Sequence, residues 1–133
     1  MPSFIQKFFR RGKKILLVED DLALSVAMYD TLTREGYRVL EAKDGREGLS
    51  KAIKQQPDLI LLDLMLPGLD GIGFLKELRI DEWGARAKVI ILTALLEGNE
   101  LMVEAKTYGV TDFIEKSNIS LSALRKRIEE TLT

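Results

Sequence analysis

Apolar residues along the chain follow two patterns that take turns. Short unbroken runs, KILLV at 14–18, LILL at 59–62 and KVIIL at 88–92, are separated by stretches in which apolar residues recur every three or four positions. An unbroken run of four or five residues marks a strand buried on both faces, and the wider spacing marks an amphipathic helix. The spacing predicts a helix over 21–35, with Leu22, Val26, Tyr29 and Leu32 in phase and Gly36 as its stop. A strand over 37–42 is closed by Asp44-Gly45, and a helix over 46–55 carries Leu49, Ala52 and Ile53 ahead of Pro57. After the run at 59–62 comes a helix over 71–80 with Phe74, Leu75 and Leu78 on one face. The run at 88–92 leads to a helix over 97–108 that Gly109 ends, a strand over 111–114 and a last amphipathic helix over 120–132.

Five strand–helix repeats therefore fill residues 13 to 132. Strands that alternate with helices call for a parallel sheet covered on both faces, a three-layer α/β sandwich. No Pro-rich, Ser-rich or low-complexity linker interrupts the repeats, so 13–133 reads as one domain preceded by an extension over 1–12. In that extension Phe4, Ile5, Phe8 and Phe9 share one helical face, with Lys7, Arg10 and Arg11 toward the other. It is too short and interrupted for a secretory signal. Packing on the domain or contact between copies is its simplest use, with membrane-surface or partner contact as the alternative.

Composition narrows the chemistry. Twenty basic and 21 acidic residues leave a net charge of −1, so no global field favours nucleic acid, and direct nucleic-acid binding is not expected. The absence of Cys removes disulfides and thiolate metal sites and fits a reducing, cytoplasmic setting. The absence of His removes imidazole ligands and bases. Any chemistry runs on carboxylates, hydroxyls, lysine and a hard cation.

In open parallel α/β sheets ligands gather at the carboxyl ends of the strands. At that edge the sequence puts Glu19, Asp20 and Asp21 after the first strand, Asp63 after the third, Thr93 and Ala94 after the fourth, and Lys116 after the fifth. Carboxylates that converge repel one another, and a hard divalent cation, Mg2+ or Mn2+, relieves the repulsion. Beside such a cation and Lys116, Asp63 can stay ionised and attack a phosphoryl group as a carboxylate nucleophile. Thr93 is placed to hydrogen-bond a phosphoryl oxygen. Read singly, each residue has a plainer use: the acidic run caps a helix, Asp63 bonds backbone amides at a strand end, and Lys116 is solvated.

LLVEDD, LLDLMLPGLDG, ILTA and DFIEK, in this order on these strand ends, resemble the receiver domain of bacterial two-component response regulators, in its stand-alone, CheY-like form. The resemblance covers about residues 13 to 132. It implies a flavodoxin-like (βα)5 fold with sheet order 2-1-3-4-5. It also implies roles: Asp63 as phosphoacceptor, Glu19 and Asp20 as the metal-binding acidic pair, and the Met65 backbone carbonyl as a further metal ligand. Thr93 matches the switch hydroxyl, Lys116 the phosphate partner and Phe113 the switch aromatic. The implied partners are a sensor histidine kinase or phosphotransfer protein and a downstream protein target or self-association. The implied output face combines the fourth helix, fifth strand and fifth helix, and the protein would catalyse only its own phosphorylation and dephosphorylation.

The sequence departs from the family pattern in three places. Ser117 stands where a proline, often cis, usually follows the lysine, which affects how Lys116 is aimed. The loop after Thr93 is about one residue longer than usual and brings Leu95 and Leu96 to a mouth that is normally polar. Met65 and Leu95 occupy the two positions that tune phosphoryl loss, and their bulk predicts a long-lived phosphorylated state. Two other classes compete: an interaction module that works without phosphorylation, and a haloacid-dehalogenase-like phosphohydrolase, which needs a second Asp where Met65 stands. No GxxxxGK[ST] loop supports nucleotide binding.

Overall fold

The computed structural model describes residues 12–133, so the reading of residues 1–11 as an amphipathic helix lies outside the described residues. Five strands, β1 (Lys14–Val18), β2 (Arg38–Ala42), β3 (Leu59–Leu62), β4 (Val89–Thr93) and β5 (Asp112–Glu115), form one sheet in the order β2-β1-β3-β4-β5. Every pairing is parallel. Five helices connect and close it: α1 (Leu22–Arg34), α2 (Gly45–Gln55), α3 (Gly71–Ile80), α4 (Glu100–Lys106) and α5 (Leu121–Leu132). The expected order 2-1-3-4-5 and three-layer architecture are the ones observed.

The unbroken apolar runs do what burial on both faces requires. In β1, Ile15 and Leu17 point into one core with Met28 and Leu32 of α1 and Leu124 and Ile128 of α5. Leu16 and Val18 point into the other with Ala52 of α2, Phe74 and Leu75 of α3, and Met102 and Ala105 of α4. All four residues of β3 are buried, and each such side chain contributes about 1.5–3 kcal/mol of transfer free energy. Asp21, Asp44, Asp70 and Ser120 cap α1, α2, α3 and α5 by accepting a backbone N–H from the first turn.

Three expectations need correction. In α1 the in-phase residues Leu22, Val26 and Tyr29 are exposed, and the buried face is Ser25, Met28 and Leu32. A thirteen-residue helix holding two apolar stripes gives periodicity no way to choose between them. In α2 the core face is Gly45, Gly48 and Ala52, while Ile53 is exposed. The helix expected over 97–108 is only Glu100–Lys106, because Gly98 turns with a φ of +90° and Asn99 caps the shorter helix.

Candidate functional site

The sheet order reverses at β1, which lies between β2 and β3, so the crevice at the carboxyl ends opens there. Val18 is paired with Leu62, so the residues that follow them, Glu19 and Asp63, leave the sheet side by side. Thr93 is paired with Glu115, the residue before Lys116. Glu19 and Asp63 are 1% and 5% exposed, whereas Asp20 is open to solvent. One carboxylate oxygen from each of Glu19, Asp20 and Asp63 falls in a set whose members lie within 4.8 Å of one another.

Lys116 Nζ donates to Glu19 Oε1 at 2.6 Å and to Asp63 Oδ2 at 2.7 Å. The other oxygen of each buried carboxylate accepts a backbone N–H two residues further on, Asp21 N to Glu19 Oε2 and Met65 N to Asp63 Oδ1, both at 3.1 Å. Burial raises the Glu19 pKa, and Lys116 and the Asp21 amide only partly offset it. Burial also works against the Lys116 charge, but hydrogen bonds to Asp63 and Glu19 outweigh it and the lysine pKa is raised. Three carboxylates thus face a single ammonium.

That donor set suits a hard divalent cation. Mg2+ and Mn2+ favour oxygen ligands, and Mg2+ usually takes a few carboxylates and fills its remaining positions with water. Glu19, Asp20 and Asp63 would hold it, with solvent reaching the cluster from the exposed Asp20 side. The acidic run divides its work: Asp21 is the α1 cap, Glu19 turns into the cluster, and Asp20 sits at its rim. The plain capping interpretation is therefore right for Asp21 alone.

The loop after β3 must turn sharply back over the site. A Cβ on Gly71 would stand 2.5 Å from Leu64 Cα and 2.9 Å from Asp63 O, so only glycine lets α3 start this close to Asp63. Gly68 adopts a φ of +72° in the same loop, and Met65 leaves its side chain 55% exposed at the rim. Thr93 is buried as the last residue of β4, and its hydroxyl accepts from Leu95 N at 3.4 Å. Phe113 is half-buried against the core on the α2–α3–α4 side, with Lys106 Nζ 5.4 Å from the ring centroid. The structure therefore brings Glu19, Asp20, Asp63 and Lys116 together, while the Thr93 hydroxyl is engaged by its own loop and the Phe113 ring by Lys106.

The segment lacking the proline is a single 3-10 turn, Lys116–Asn118, and no peptide bond among the described residues is cis. Glu115 braces it: one oxygen accepts from Asn118 Nδ2 at 2.8 Å and the other from Glu97 N at 3.1 Å. Glu115 thereby ties the loop carrying Lys116 to the loop that follows Thr93. Sequence reasoning missed this residue; its signal was a carboxylate and an Asn three positions apart around the lysine. Two arginines of α5 also pair across the fold: Arg125 reaches Glu35 beyond α1 at 2.6 Å and Arg127 grips Asp112 of β5.

Comparison with known proteins agrees with this geometry. The profile of the response regulator receiver domain matches residues 15–129, and the chain belongs to that family. It is 35% identical over 105 residues to sporulation initiation phosphotransferase F of Bacillus subtilis, covering 79% of this chain and 82% of that protein. Chemotaxis protein CheY of Thermotoga maritima is 37% identical over 108 residues, covering 79% and 86%. Other relatives are longer: the chain spans 44% of the transcriptional regulatory protein AfsQ1 of Streptomyces coelicolor, at 38% identity over 77% of this chain. Among solved structures, chemotaxis response regulator CheY4 of Vibrio cholerae superposes with a TM-score of 0.81 at 31% identity over 90% of this chain and 98% of that one. The receiver domain of a sensor histidine kinase from Pseudomonas aeruginosa, with magnesium coordinated in its active-site cleft, gives 0.81 at 33% identity over 91% and 98%. No helix among the described residues is long and apolar enough to cross a membrane.

Proposed function

We propose that this receiver domain accepts a phosphoryl group on Asp63 from the phosphohistidine of a sensor kinase or phosphotransfer protein, in a reaction that requires Mg2+. The observation that carries the reading is the pair of contacts at Asp63: Lys116 on Oδ2 at 2.7 Å and the Met65 amide on Oδ1 at 3.1 Å, beside two further carboxylates. A carboxylate oxygen of Asp63 attacks phosphorus, the P–N bond to the donor imidazole breaks, and an acyl phosphate forms. A divalent cation on Glu19, Asp20, Asp63 and the Met65 carbonyl would offset the negative charge that gathers there. Lys116 neutralises a phosphoryl oxygen, and Thr93, freed from Leu95 N, turns its hydroxyl to another.

The proposed readout is a shift of the face made by α4, β5 and α5, with Phe113 leaving Lys106 as Thr93 moves. A few kcal/mol of differential stabilisation suffices to shift such a two-state surface. The donor needs a footing next to the site. The exposed apolar stripe Leu22, Val26 and Tyr29 begins one residue beyond the α1 cap Asp21 and offers one to an apolar helical face. The protein turns over no substrate beyond its own phosphoryl group.

The test is to incubate the protein and Asp63→Asn with acetyl phosphate, with and without Mg2+, and to follow intact mass. A phosphoryl adduct that needs both Mg2+ and Asp63 is expected. No adduct under conditions that label a control receiver would replace this reading with a phosphorylation-independent interaction module.

A further inference from the structure

Lys116 reaches Asp63 from a short turn with few restraints of its own. It opens a 3-10 turn of three residues, Lys116–Asn118, that begins with no side-chain cap. KSN contains no proline to fix a backbone φ, and a lysine carries its ammonium on a flexible four-carbon stem. Ile114 before the turn is buried in the core shared with α1 and α5, and Ile119 after it packs against the same core. The stretch 115–118 therefore bridges two anchored points at the end of β5, an edge strand that pairs with β4 alone.

Glu115 supplies the restraint that the turn lacks. It is half-buried, it lies beside Thr93 in the sheet, and the period of two puts it on the face of β5 that carries Phe113. One carboxylate oxygen accepts from Asn118 Nδ2 at 2.8 Å across the turn, and the other accepts from Glu97 N at 3.1 Å in the loop after Thr93. Hydrogen bonds to an ionised acceptor are the stronger kind. Both donors are neutral, while the ammonium next along the chain is held by Glu19 and Asp63. The charge of Glu115 is thus spent on geometry.

We propose that Glu115 is a positioning residue for phosphoryl transfer: by joining Asn118 to Glu97 it aims Lys116 at Asp63 and keeps that turn in register with the loop beside Thr93. The inference rests on the role proposed above for Lys116 at the phosphoryl group. Neither bond involves Glu19, Asp20 or Asp63, so breaking them leaves the three carboxylates in place and frees only the lysine.

Two substitutions break the link with opposite changes of charge. Glu115→Ala removes a carboxylate, and Asn118→Asp sets a second carboxylate against it. Each is expected to slow phosphorylation by acetyl phosphate about tenfold, less than loss of the lysine itself. An effect of charge alone would move the two rates in opposite directions. Asn118→Asp combined with Glu115→Gln rebuilds the bond with donor and acceptor exchanged, the new amide donating to the new carboxylate, and should return the rate to that of the wild type.

A second readout needs no phosphorylation. The side-chain ammonium resonance of Lys116 in 1H–15N spectra, identified by its loss in Lys116→Met, persists only while Asp63 and Glu19 hold the ammonium. It should be present in the wild type, vanish in either single variant and return in the double variant, with far-ultraviolet circular dichroism unchanged throughout. Its absence from the wild type, its persistence in Glu115→Ala, or a double variant no better than Asn118→Asp would overturn the proposal. A wild type that takes no phosphoryl group while the resonance follows the expected pattern would overturn the phosphotransfer reading alone and leave the aiming of Lys116 by Glu115 standing.

Discussion

Two half-buried cations stand at opposite ends of the same sheet, and they are held in opposite ways. At the amino-terminal end Arg79, from α3, donates to four carbonyls: Tyr108 O, Gly84 O and Ala87 O at 2.8 Å, and Gly109 O at 3.2 Å. At the carboxyl end Lys116 alone answers Glu19, Asp63 and the nearby Asp20. Burial lowers the Arg79 pKa from a value so high that its charge is never in question, whereas the pKa values of Glu19 and Lys116 are both raised. Arg79 has four of its five N–H donors spent on fixed dipoles of two loops. The acidic cluster has more negative charge than its one ammonium meets, and that surplus makes it a site rather than a brace.

The contrast is broken most directly at Lys116. Lys116→Met should slow Mg2+-dependent phosphorylation by acetyl phosphate about 100-fold, as loss of a charge-stabilising contact to a transferring group does. The same substitution should tighten Mg2+ binding, because a competing cation is gone from Glu19 and Asp63. The pH dependence follows from the raised lysine pKa. Lys116 stabilises the metal-free fold fully below the ordinary lysine value of 10.5, and that contribution is lost as pH rises through the higher folded-state value. Urea unfolding of the metal-free wild type should therefore lose stability above that range, and the Lys116→Met protein should lack this loss. Equal phosphorylation rates in the two proteins would show that the ammonium is only a brace.

Arg79→Met tests the other pole. Removing four charge-assisted bonds to carbonyls of the turn before β4 and the turn before β5 should lower unfolding stability by about 2–3 kcal/mol. Phosphorylation of the folded variant should keep the wild-type rate. A rate loss as large as that of Lys116→Met would mean that the two ends of the sheet are coupled and that Arg79 is more than a brace.

How much of this contrast could be read from the sequence depended on whether a partner lies close along the chain or across the fold. β3 and β4 are apolar because both faces are covered, so their runs announced a parallel sheet, and Asp63 after LILL stood out against that background. The four residues of the acidic site were legible for the same reason: each directly ends or follows a strand. Arg79 was not legible, because its acceptors are backbone carbonyls 5 to 30 positions away and carry no residue-type signal. Glu115 was missed because its role is to join two loops, and the α1 stripe was misassigned because period alone does not say which of two apolar faces meets the sheet. The pairs of Arg125 and Arg127 are of the same kind, since their partners Glu35 and Asp112 lie 90 and 15 positions away along the chain.

The smallest expected effect concerns how long Asp63 keeps its phosphoryl group. Met65 and Leu95 each donate a backbone N–H to a site side chain, Asp63 and Thr93, but only Met65 leaves its own side chain at the rim, since Leu95 packs partly against the core. Met65 is more than half exposed, and an attacking water that reached Asp63 past it would find methylenes and a weakly accepting thioether, with no donor to order it. Met65→Asn supplies a donor and a full acceptor at a similar position without touching the backbone bond to Asp63. A gain of about 1.4 kcal/mol in water placement corresponds to a tenfold faster loss of the phosphoryl group, read by decay of the phosphorylated mass after acetyl phosphate is removed. Phosphorylation itself should change little, since that step needs no water. A wild-type half-life of seconds, or no acceleration in the variant, would show that Met65 does not screen the site, and control of hydrolysis would then rest on Lys116 and the loop that Glu115 braces.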